Sequence, residues 1–310
     1  MRKETNIFIA GSGTLIGSAI VRQLRDQGYS NLHTDELDFT DAEVVDGFFA
    51  ERKPDYVFVA AGKSGGIGAN QKFPADLIRD NLLVACHIIH SAYAYKAKKL
   101  LYLASSCCYP KFCSQPMRVE SLLTGPLEPS NDAYATAKIA GIQLCQAYRR
   151  QHGANFISAI PANAFGPGDD FSLGDSHVIA ALIRKVHEAK TQGLPFVEVW
   201  GTGSPRREFI YADDLGDACI FTMLNYNGSE PINLGTGGDI SIKELAELIR
   251  EISGYTGQIR FDSNQPDGMP AKFMDSRPLR ELGWEVKTDF RSALKETYQW
   301  FRTAKPSCQS

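Results

Sequence analysis

A glycine-rich turn between an apolar strand and an amphipathic helix is the feature that most constrains the fold of this chain. Residues 6–10 (Asn-Ile-Phe-Ile-Ala) form an apolar run typical of a buried parallel strand. The turn Gly11-Ser-Gly-Thr-Leu-Ile-Gly17 follows, and residues 15–26 have helical periodicity. Because a helix N-terminus offers free backbone N–H groups, this order of elements predicts a binding site for a pyrophosphate.

The alternation of strands and helices continues to about residue 162. Periodicity predicts helices over 41–52, 76–96 and 133–152, the first of them capped by Thr40. Apolar strands begin at Tyr56, Leu100 and Phe156. This order predicts an α/β fold with a doubly wound parallel sheet of the Rossmann type.

The pattern loosens from Phe165 into loops rich in Gly, Asp, Ser and Pro. Later segments read as helices over 176–190, 241–253 and 290–305 and as a strand over 197–200. We therefore expect a dinucleotide-binding domain over 1–164, joined by about 205–225. The remaining segments, 165–204 and 226–310, are expected to form a smaller C-terminal cap that binds substrate.

Composition bounds the class of protein. The 310 residues are 43% hydrophobic and 22% charged, with a formal net charge of −3, so nothing indicates a nucleic-acid surface. We expect neither a signal peptide nor a membrane span, since no stretch of about 18 apolar residues occurs. The seven cysteines are irregularly spaced and form no Cys-x-x-Cys pair, which predicts reduced thiols, a cytoplasmic location and no metal site.

The pair Tyr134 and Lys138 is the strongest chemical signal. Four residues apart, the two side chains share one face of a helix. A phenol titrates near ~10, and we expect the lysine ammonium to lower that pKa and ease proton exchange. Such a pair is common by chance and is then only a helix surface. With Ser105 and the glycine turn upstream, it indicates hydride transfer to and from a nicotinamide cofactor.

The cofactor is expected to bind the whole glycine turn, namely Gly11, Ser12, Gly13, Thr14, Leu15, Ile16 and Gly17, together with His33 at the end of the second strand. Asp35 stands about 20 residues after the glycines, where an acid binds the adenosine ribose and favours NAD. The alternative for Asp35 is a solvated turn residue. Thr14 occupies the middle place of the usual Gly-x-x-Gly-x-x-Gly pattern, so we expect the turn to shift.

The stretch Ser105-Ser-Cys-Cys-Tyr-Pro-Lys111 is more specific and indicates a single enzyme family. Within the extended short-chain dehydrogenases/reductases, it resembles the GDP-L-fucose synthase family, the GDP-4-keto-6-deoxy-D-mannose 3,5-epimerase-4-reductases. The resemblance runs from about residue 7 to 302. Its other motifs include Gly65-Gly-Ile-x-Ala-Asn70, Leu127-Glu-Pro129, Ala137-Lys-Ile-Ala-Gly-Ile142, Ser176-His-Val178, Trp200-Gly-Thr-Gly203, Arg207-Glu-Phe209 and Pro266-Asp-Gly268.

The resemblance implies a role for each catalytic residue. Ser105 would hydrogen-bond the sugar C4 oxygen, Tyr134 would donate a proton there, and Lys138 would tune Tyr134 and hold the nicotinamide ribose. Cys107 and His177 would be the acid/base pair at C3 and C5. A 4-keto group acidifies those C–H bonds, and a thiol and an imidazole have ordinary pKa values on either side of neutrality. Considered without the surrounding motif, Cys107 could be a small buried residue that fills space, and His177 could be a loop residue that caps the helix after it.

The resemblance also implies the ligands. The cofactor would be NADP(H), with Pro161, Asn163 and His177 among its contacts, and the substrate a GDP-4-keto-6-deoxy sugar. The GDP contacts would be Asn163, Lys185, Trp200, Arg207, Asp267 and Lys272. A homodimer would form through the helices over 76–96 and 133–152.

Departures from the family pattern leave alternatives open. Gly13 and His33 stand where the family carries arginines for the NADP phosphate, so NADPH preference is expected to be weakened and NAD(H) use stays open. Phe165, Lys185 and Ala271 also differ from the pattern. An epimerase or 4-reductase acting on a related GDP-4-keto sugar, such as a heptose or dideoxyhexose, therefore stays open. So does a dinucleotide-binding sensor without turnover.

Overall fold

The fold positions its functional groups at the edge of a parallel sheet. The computed structural model describes residues 1–172, 176–265, 267 and 269–304. Its first part contains β1 Ile7–Ala10, α1 Leu15–Asp26, β2 Leu32–His33, α2 Ala42–Arg52, β3 Tyr56–Val59, α3 Ile67–Lys72, α4 Pro74–Ala94, β4 Lys99–Leu103, α5 Asp132–His152 and β5 Phe156–Pro161. The predicted alternation is confirmed over this part, and α3 is an additional helix.

The second part is built from shorter pieces. Its elements are β6 Asn163–Phe165, α6 Val178–Gln192, β7 Phe196–Trp200, β8 Arg206–Arg207, β9 Phe209–Tyr211, α7 Ala212–Asn225, β10 Ile232–Leu234, β11 Ile240–Ser241, α8 Ile242–Ser253, β12 Gln258–Asp262, β13 Ala271–Lys272, α9 Arg277–Glu281 and α10 Phe290–Thr303. The predicted helix over 290–305 ends at Thr303, and Lys305 lies outside the described residues.

The central sheet has six parallel strands in the order β2-β1-β3-β4-β5-β10. The strand order reverses at β1, which pairs with β2 on one side and β3 on the other. Ligands of such sheets bind outside the carboxyl ends of the strands at this reversal. The expected doubly wound sheet is confirmed, and the glycine turn lies at the reversal.

Helix α2 begins at Ala42, one residue later than predicted, and its N-cap is Asp41. The carboxylate of Asp41 accepts hydrogen bonds from the backbone N–H of Glu43 (2.9 Å) and Val44 (3.3 Å). Thr40 donates its hydroxyl to Asp38 instead (2.6 Å). The predicted cap at Thr40 is therefore wrong, because a carboxylate is the better acceptor at the positive end of the helix.

Two separate apolar clusters fill the interior. The larger surrounds the central sheet, and the smaller one packs α6, α8 and α10 around residues such as Phe165, Leu245 and Leu294. Helix α7 comes from the second half of the sequence but packs on α1, where Arg22 pairs with Asp213. Within the described residues, no helix combines the length and apolar character that crossing a membrane requires.

Candidate active site

A cavity of about 420 Å³ opens at the carboxyl ends of the strands. It brings together most of the predicted catalytic and cofactor residues: Gly13, Thr14, Leu15, Ile16, Ser105, Cys107, Tyr134, Lys138, Pro161, Asn163 and His177. A second cavity, of about 590 Å³, is lined by aromatic rings and by Arg207, and it contains none of the predicted catalytic residues. The first cavity is therefore the candidate active site.

The glycine turn fits a dinucleotide. Gly11 has φ +80°, and a Cβ there would lie 2.6 Å from the backbone of Ala61, so only glycine is accommodated. Thr14 is the N-cap of α1: its hydroxyl accepts from the N–H of Gly17 (3.0 Å) and donates to the carbonyl of Gly11 (2.8 Å). The cap leaves the N–H groups of Leu15 and Ile16 in the first helical turn, which lines the cavity.

Glu36, rather than Asp35, supplies the carboxylate beside the glycine turn. Its Oε1 accepts hydrogen bonds from the N–H of Gly13 (2.8 Å) and the hydroxyl of Ser12 (2.7 Å). Strand β2 ends at His33, and the following loop turns Glu36 toward the glycines. The binding of the adenosine ribose by Asp35 stays a prediction.

His33 lies at the end of β2, packed edge-on against Phe48 with ring centroids 6.1 Å apart. Burial, followed by the charge of Arg52, lowers the pKa of His33. Neither His33 nor Asp35 lines the candidate active-site cavity.

Lys138 is 6% exposed and its ammonium donates to the carbonyl of Leu103 (3.2 Å). The ammonium lies 5.3 Å from the ring centroid of Tyr102 and 5.8 Å from that of Tyr134. Burial lowers the pKa of Lys138 to about 8. The positive charge is therefore fixed at the base of the cavity, over the ring face of Tyr134.

The expected lowering of the Tyr134 pKa is wrong for this structure. Burial raises that pKa above its ordinary value, the Cys107 and Cys108 thiols raise it further, and a hydrogen bond with Ser105 opposes them. The ammonium of Lys138 faces the ring rather than the hydroxyl, so desolvation prevails. A neutral phenol is the form that donates a proton.

Cys107 is held by two donors from distant parts of the chain. The amide Nδ2 of Asn131 lies 3.1 Å from its Sγ, and Nζ of Lys272 lies 3.4 Å away. Burial would raise the pKa of this thiol, but the charge of Lys272 and hydrogen bonds from Ser105, Lys272 and Asn131 outweigh burial and lower it. In the adjacent Cys108, burial prevails and raises the pKa to about 12.

His177 occupies the N-cap position of α6, as its alternative interpretation proposed, but its side chain makes no capping hydrogen bond. The exposed ring lines the cavity that also contains Cys107. Desolvation and then the charge of Lys272 lower the pKa of His177. The neutral imidazole is therefore the favoured form near neutral pH.

The residues predicted to bind GDP divide into separate groups. The Nζ of Lys185 lies 5.9 Å from the ring centroid of Trp200, and Trp200 is 66% exposed. Asp267 accepts from the N–H of Thr202 (2.7 Å), in the turn after Trp200. These residues lie outside the catalytic cavity.

The remaining predicted GDP contacts lie closer to the predicted catalytic residues. Arg207 is half-buried and donates to the carbonyl of Met269 (2.7 Å), and Asn163 donates to the carbonyl of Glu208 (2.8 Å). Lys272 contacts Cys107.

Asn131 and Asp169 are among the polar residues of the cavity that the sequence did not predict. Asn131 immediately precedes α5, where an asparagine normally reads as a cap. Asp169 lines the cavity, and burial raises its pKa to about 7. Only its position in a loop rich in Gly and Asp marked it, and that composition is equally typical of a solvated turn.

Comparison with known proteins places the chain in a family. Residues 7–235 match the sequence model of the NAD dependent epimerase/dehydratase family. The chain belongs to this family. It is 52% identical to GDP-L-fucose synthase 1 of Arabidopsis thaliana, across 96% of this chain and 94% of that protein. It is 46% identical to the GDP-L-fucose synthase of Escherichia coli K12, across 96% and 97%. The resemblance to the GDP-L-fucose synthase family is thereby confirmed.

Solved structures agree in fold. A GDP-6-OMe-4-keto-L-xylo-heptose reductase from C. jejuni superimposes with a TM-score of 0.93 at 34% identity, covering 98% of this chain and 99% of that one. A GDP-L-fucose synthetase from Naegleria fowleri bound to NADP gives a TM-score of 0.90 at 30% identity, covering 97% and 94%. The expected α/β fold of a nucleotide-sugar enzyme is therefore supported along nearly the whole chain.

Proposed function

We propose that this protein is a bifunctional NADP(H)-dependent enzyme that converts GDP-4-keto-6-deoxy-D-mannose to GDP-L-fucose by 3,5-epimerisation and 4-reduction. The observation that carries the proposal is one cavity lined by both Ser105, Tyr134 and Lys138 and the pair Cys107 and His177. The first set suits reduction of a carbonyl and the second suits proton exchange at carbon. Relatives at 46–52% identity that are named GDP-L-fucose synthase support the same reaction.

A nicotinamide cofactor, when bound, would supply the hydride for C4. The glycine turn and the N-terminus of α1 would hold its pyrophosphate, and Lys138 would hold its ribose. Tyr134, kept neutral by its surroundings, donates its hydroxyl proton to the C4 oxygen, and Ser105 hydrogen-bonds the same oxygen.

In the epimerisation, the 4-keto group stabilises the enolate formed when a proton leaves C3 or C5. One member of the pair Cys107 and His177 takes that proton, and the other returns a proton to the opposite face of the ring. A pure 4-reductase requires neither residue. Their presence in the same cavity therefore favours the bifunctional reaction.

The remaining parts of the chain take supporting roles in this proposal. Residues 1–164 with about 205–225 bind the dinucleotide, and 165–204 with 226–310 bind the GDP-sugar through Lys185, Trp200 and Asp267. Arg207, from the 205–225 segment, also contacts the GDP-sugar. Helices α4 and α5, which pack side by side, form a homodimer face. A cytoplasmic location is consistent with six free thiols among the described residues.

The decisive experiment is incubation with GDP-4-keto-6-deoxy-D-mannose in D₂O with NADPH or NADH, followed by NMR of the product sugar. We expect GDP-L-fucose carrying deuterium at C3 and C5. Reduction without deuterium would refute epimerisation and favour a 4-reductase of a related GDP-4-keto sugar, the function named for the heptose reductase of the same fold. Cofactor binding without oxidation would favour the sensor.

A further inference from the structure

Lys272 contacts Cys107, a residue that lines the cavity, and lies apart from the predicted GDP contacts Lys185 and Trp200. Its Nζ is 3.4 Å from the Sγ of Cys107, whereas Lys185 lies over Trp200 outside the cavity. Strand β13, which carries Lys272, pairs in parallel with β8, where Lys272 is opposite Arg207. The role expected from sequence, contact with the diphosphate, does not account for the contact with sulfur.

The backbone around Lys272 is fixed on both sides. Its carbonyl accepts from the N–H of Glu208 (3.1 Å), and the next residue, Phe273, donates its N–H to Oε1 of Gln115 (3.0 Å). Met274 then donates its N–H to the carboxylate of Glu208 (2.8 Å). The chain thus holds the lysine at a defined position relative to Cys107.

We propose that Lys272 is a positioning residue of the epimerisation step, whose charge holds Cys107 as a thiolate and makes the imidazolium of His177 a stronger proton donor, while Asn131 fixes the sulfur. The inference rests on the proposed function, because it names the regulator of the acid/base pair assigned there. Both contacts at sulfur are donors, which is the arrangement that a thiolate requires.

The adjacent thiols Cys107 and Cys108 differ in their surroundings. Both lie in one 3₁₀ turn, Ser106–Cys108, but Cys108 is fully buried and Cys107 only partly. Burial raises the pKa of Cys108 to about 12. The charge of Lys272 and the hydrogen bonds to Cys107 outweigh burial there and lower its pKa.

Other charges face the pair as well. Tyr134 on α5 and Arg207 on β8 face Cys107, and Asp170, in the loop before α6, faces His177 and raises its pKa. Lys272 is the cation that acts on both members, since its charge lowers the pKa of Cys107 and that of His177.

The lowered pKa values of Cys107 and His177 suit the two residues to different proton transfers in the epimerisation. Thiolate Cys107 takes a proton from C3 or C5, so the C–H bond breaks, an S–H bond forms and the electron pair enters the enolate. An imidazolium at His177 then loses its N–H proton to the opposite face of that carbon. Because a positive charge nearby makes imidazolium a stronger acid, Lys272 assists both transfers.

The first test needs neither substrate nor cofactor. We would measure the rate at which iodoacetamide alkylates Cys107 as a function of pH, following this one site by mass spectrometry. Lys272→Met should move the midpoint up by about one pH unit or more, and Lys272→Arg should restore most of the shift. Lys243→Met, which removes an exposed lysine from α8, is the matched control. An unmoved midpoint in Lys272→Met would overturn the proposal.

The second test is the pH profile of deuterium exchange at C3 and C5. Removing the charge of Lys272 raises the pKa of both acids, so both limbs of a bell-shaped profile should move to higher pH. Structural damage alone would lower the profile without moving its limbs, which would contradict the proposal. Absence of exchange in the wild type would refute the proposed function instead, and the alkylation result would still decide the role of Lys272.

Discussion

Replacing Glu208 tests whether one buried carboxylate holds together the segments behind the active site. Glu208 is 1% exposed. Its Oε1 accepts from the N–H of Gly237 (2.8 Å) and its Oε2 accepts from the N–H of Met274 (2.8 Å). The two donors belong to the loop after β10 and to the residues after β13, the strand that carries Lys272. One side chain thus joins three parts of the chain.

The expected loss of stability follows from these two contacts. Glu208→Ala leaves the N–H of the buried residue Met274 without its acceptor, which costs about 1–3 kcal/mol, whereas the N–H of the exposed residue Gly237 can bond to water. Burial raises the pKa of Glu208, so the wild-type carboxylate already carries a desolvation cost that the substitution returns. We therefore expect Glu208→Ala to lower the free energy of unfolding by roughly 2 kcal/mol, a substantial part of the ~5–15 kcal/mol typical of a domain.

Glu208→Gln adds a pH signature. The amide keeps one acceptor oxygen but turns a donor toward the second N–H, so we expect about half the loss. Because the folded-state pKa of Glu208 is raised from 4.5, the folded protein binds this proton more tightly than the unfolded chain does. The wild type should therefore lose stability relative to Glu208→Gln as pH rises from 4.5 through the folded pKa.

Urea unfolding followed by circular dichroism measures these changes, with equal m-values as the condition for comparison. Glu251→Ala is the control, since Glu251 forms an exposed pair with Arg291 whose loss should cost under about 1 kcal/mol. If Glu208→Ala lost no more stability than Glu251→Ala, the buried carboxylate would not hold these segments together. The dependence of β13 and Lys272 on it would then be refuted.

Three further predictions concern the chemistry. Tyr134→Phe should lower C4 reduction by about 10²-fold or more while cofactor binding, measured by fluorescence titration, persists; unchanged turnover would contradict its role as proton donor. Cys107→Ser and His177→Asn should block deuterium exchange at C3 and C5 but not cofactor binding, and exchange at the wild-type rate in both would place the pair elsewhere. Gly13→Arg should raise the ratio of kcat/KM for NADPH over NADH by about 10-fold, because a guanidinium binds the 2′-phosphate. The new Cβ would lie 3.0 Å from the side chain of Glu36, which is exposed and able to move. The control is Gly13→Gln, and an unchanged ratio in Gly13→Arg would refute this reasoning.

Local patterns were sufficient to predict the central fold. The apolar run before Gly11, the helical period after it and the alternation to residue 162 are properties of neighbouring residues, and each is confirmed in the six-stranded sheet. Boundaries were less well determined, as the shift from Thr40 to Asp41 shows. The strands β8, β11 and β13 have two residues each, and a run that short carries no readable period.

The resemblance predicted the catalytic residues, and the fold brings five of them to one cavity: Ser105, Cys107, Tyr134, Lys138 and His177. Their electrostatic states did not follow from sequence. Spacing alone predicted a lowered pKa for Tyr134, but burial raises it, since desolvation depends on every chain segment around the phenol. The spacing rule likewise indicated an acid after β2, but the contact of Glu36 with the glycine turn depends on the loop geometry and did not follow from sequence.

The sequence by itself determined the sheet, the glycine turn and the identities of the reactive side chains, because these depend on local periodicity and short motifs. Only the tertiary structure decided which groups face them. Lys272 reaches Cys107 across 165 positions of sequence, and Glu208 joins the loop after β10 to the end of β13. Such contacts arise when separate segments close around a buried polar group, and the requirement to satisfy that group acts through space rather than along the chain.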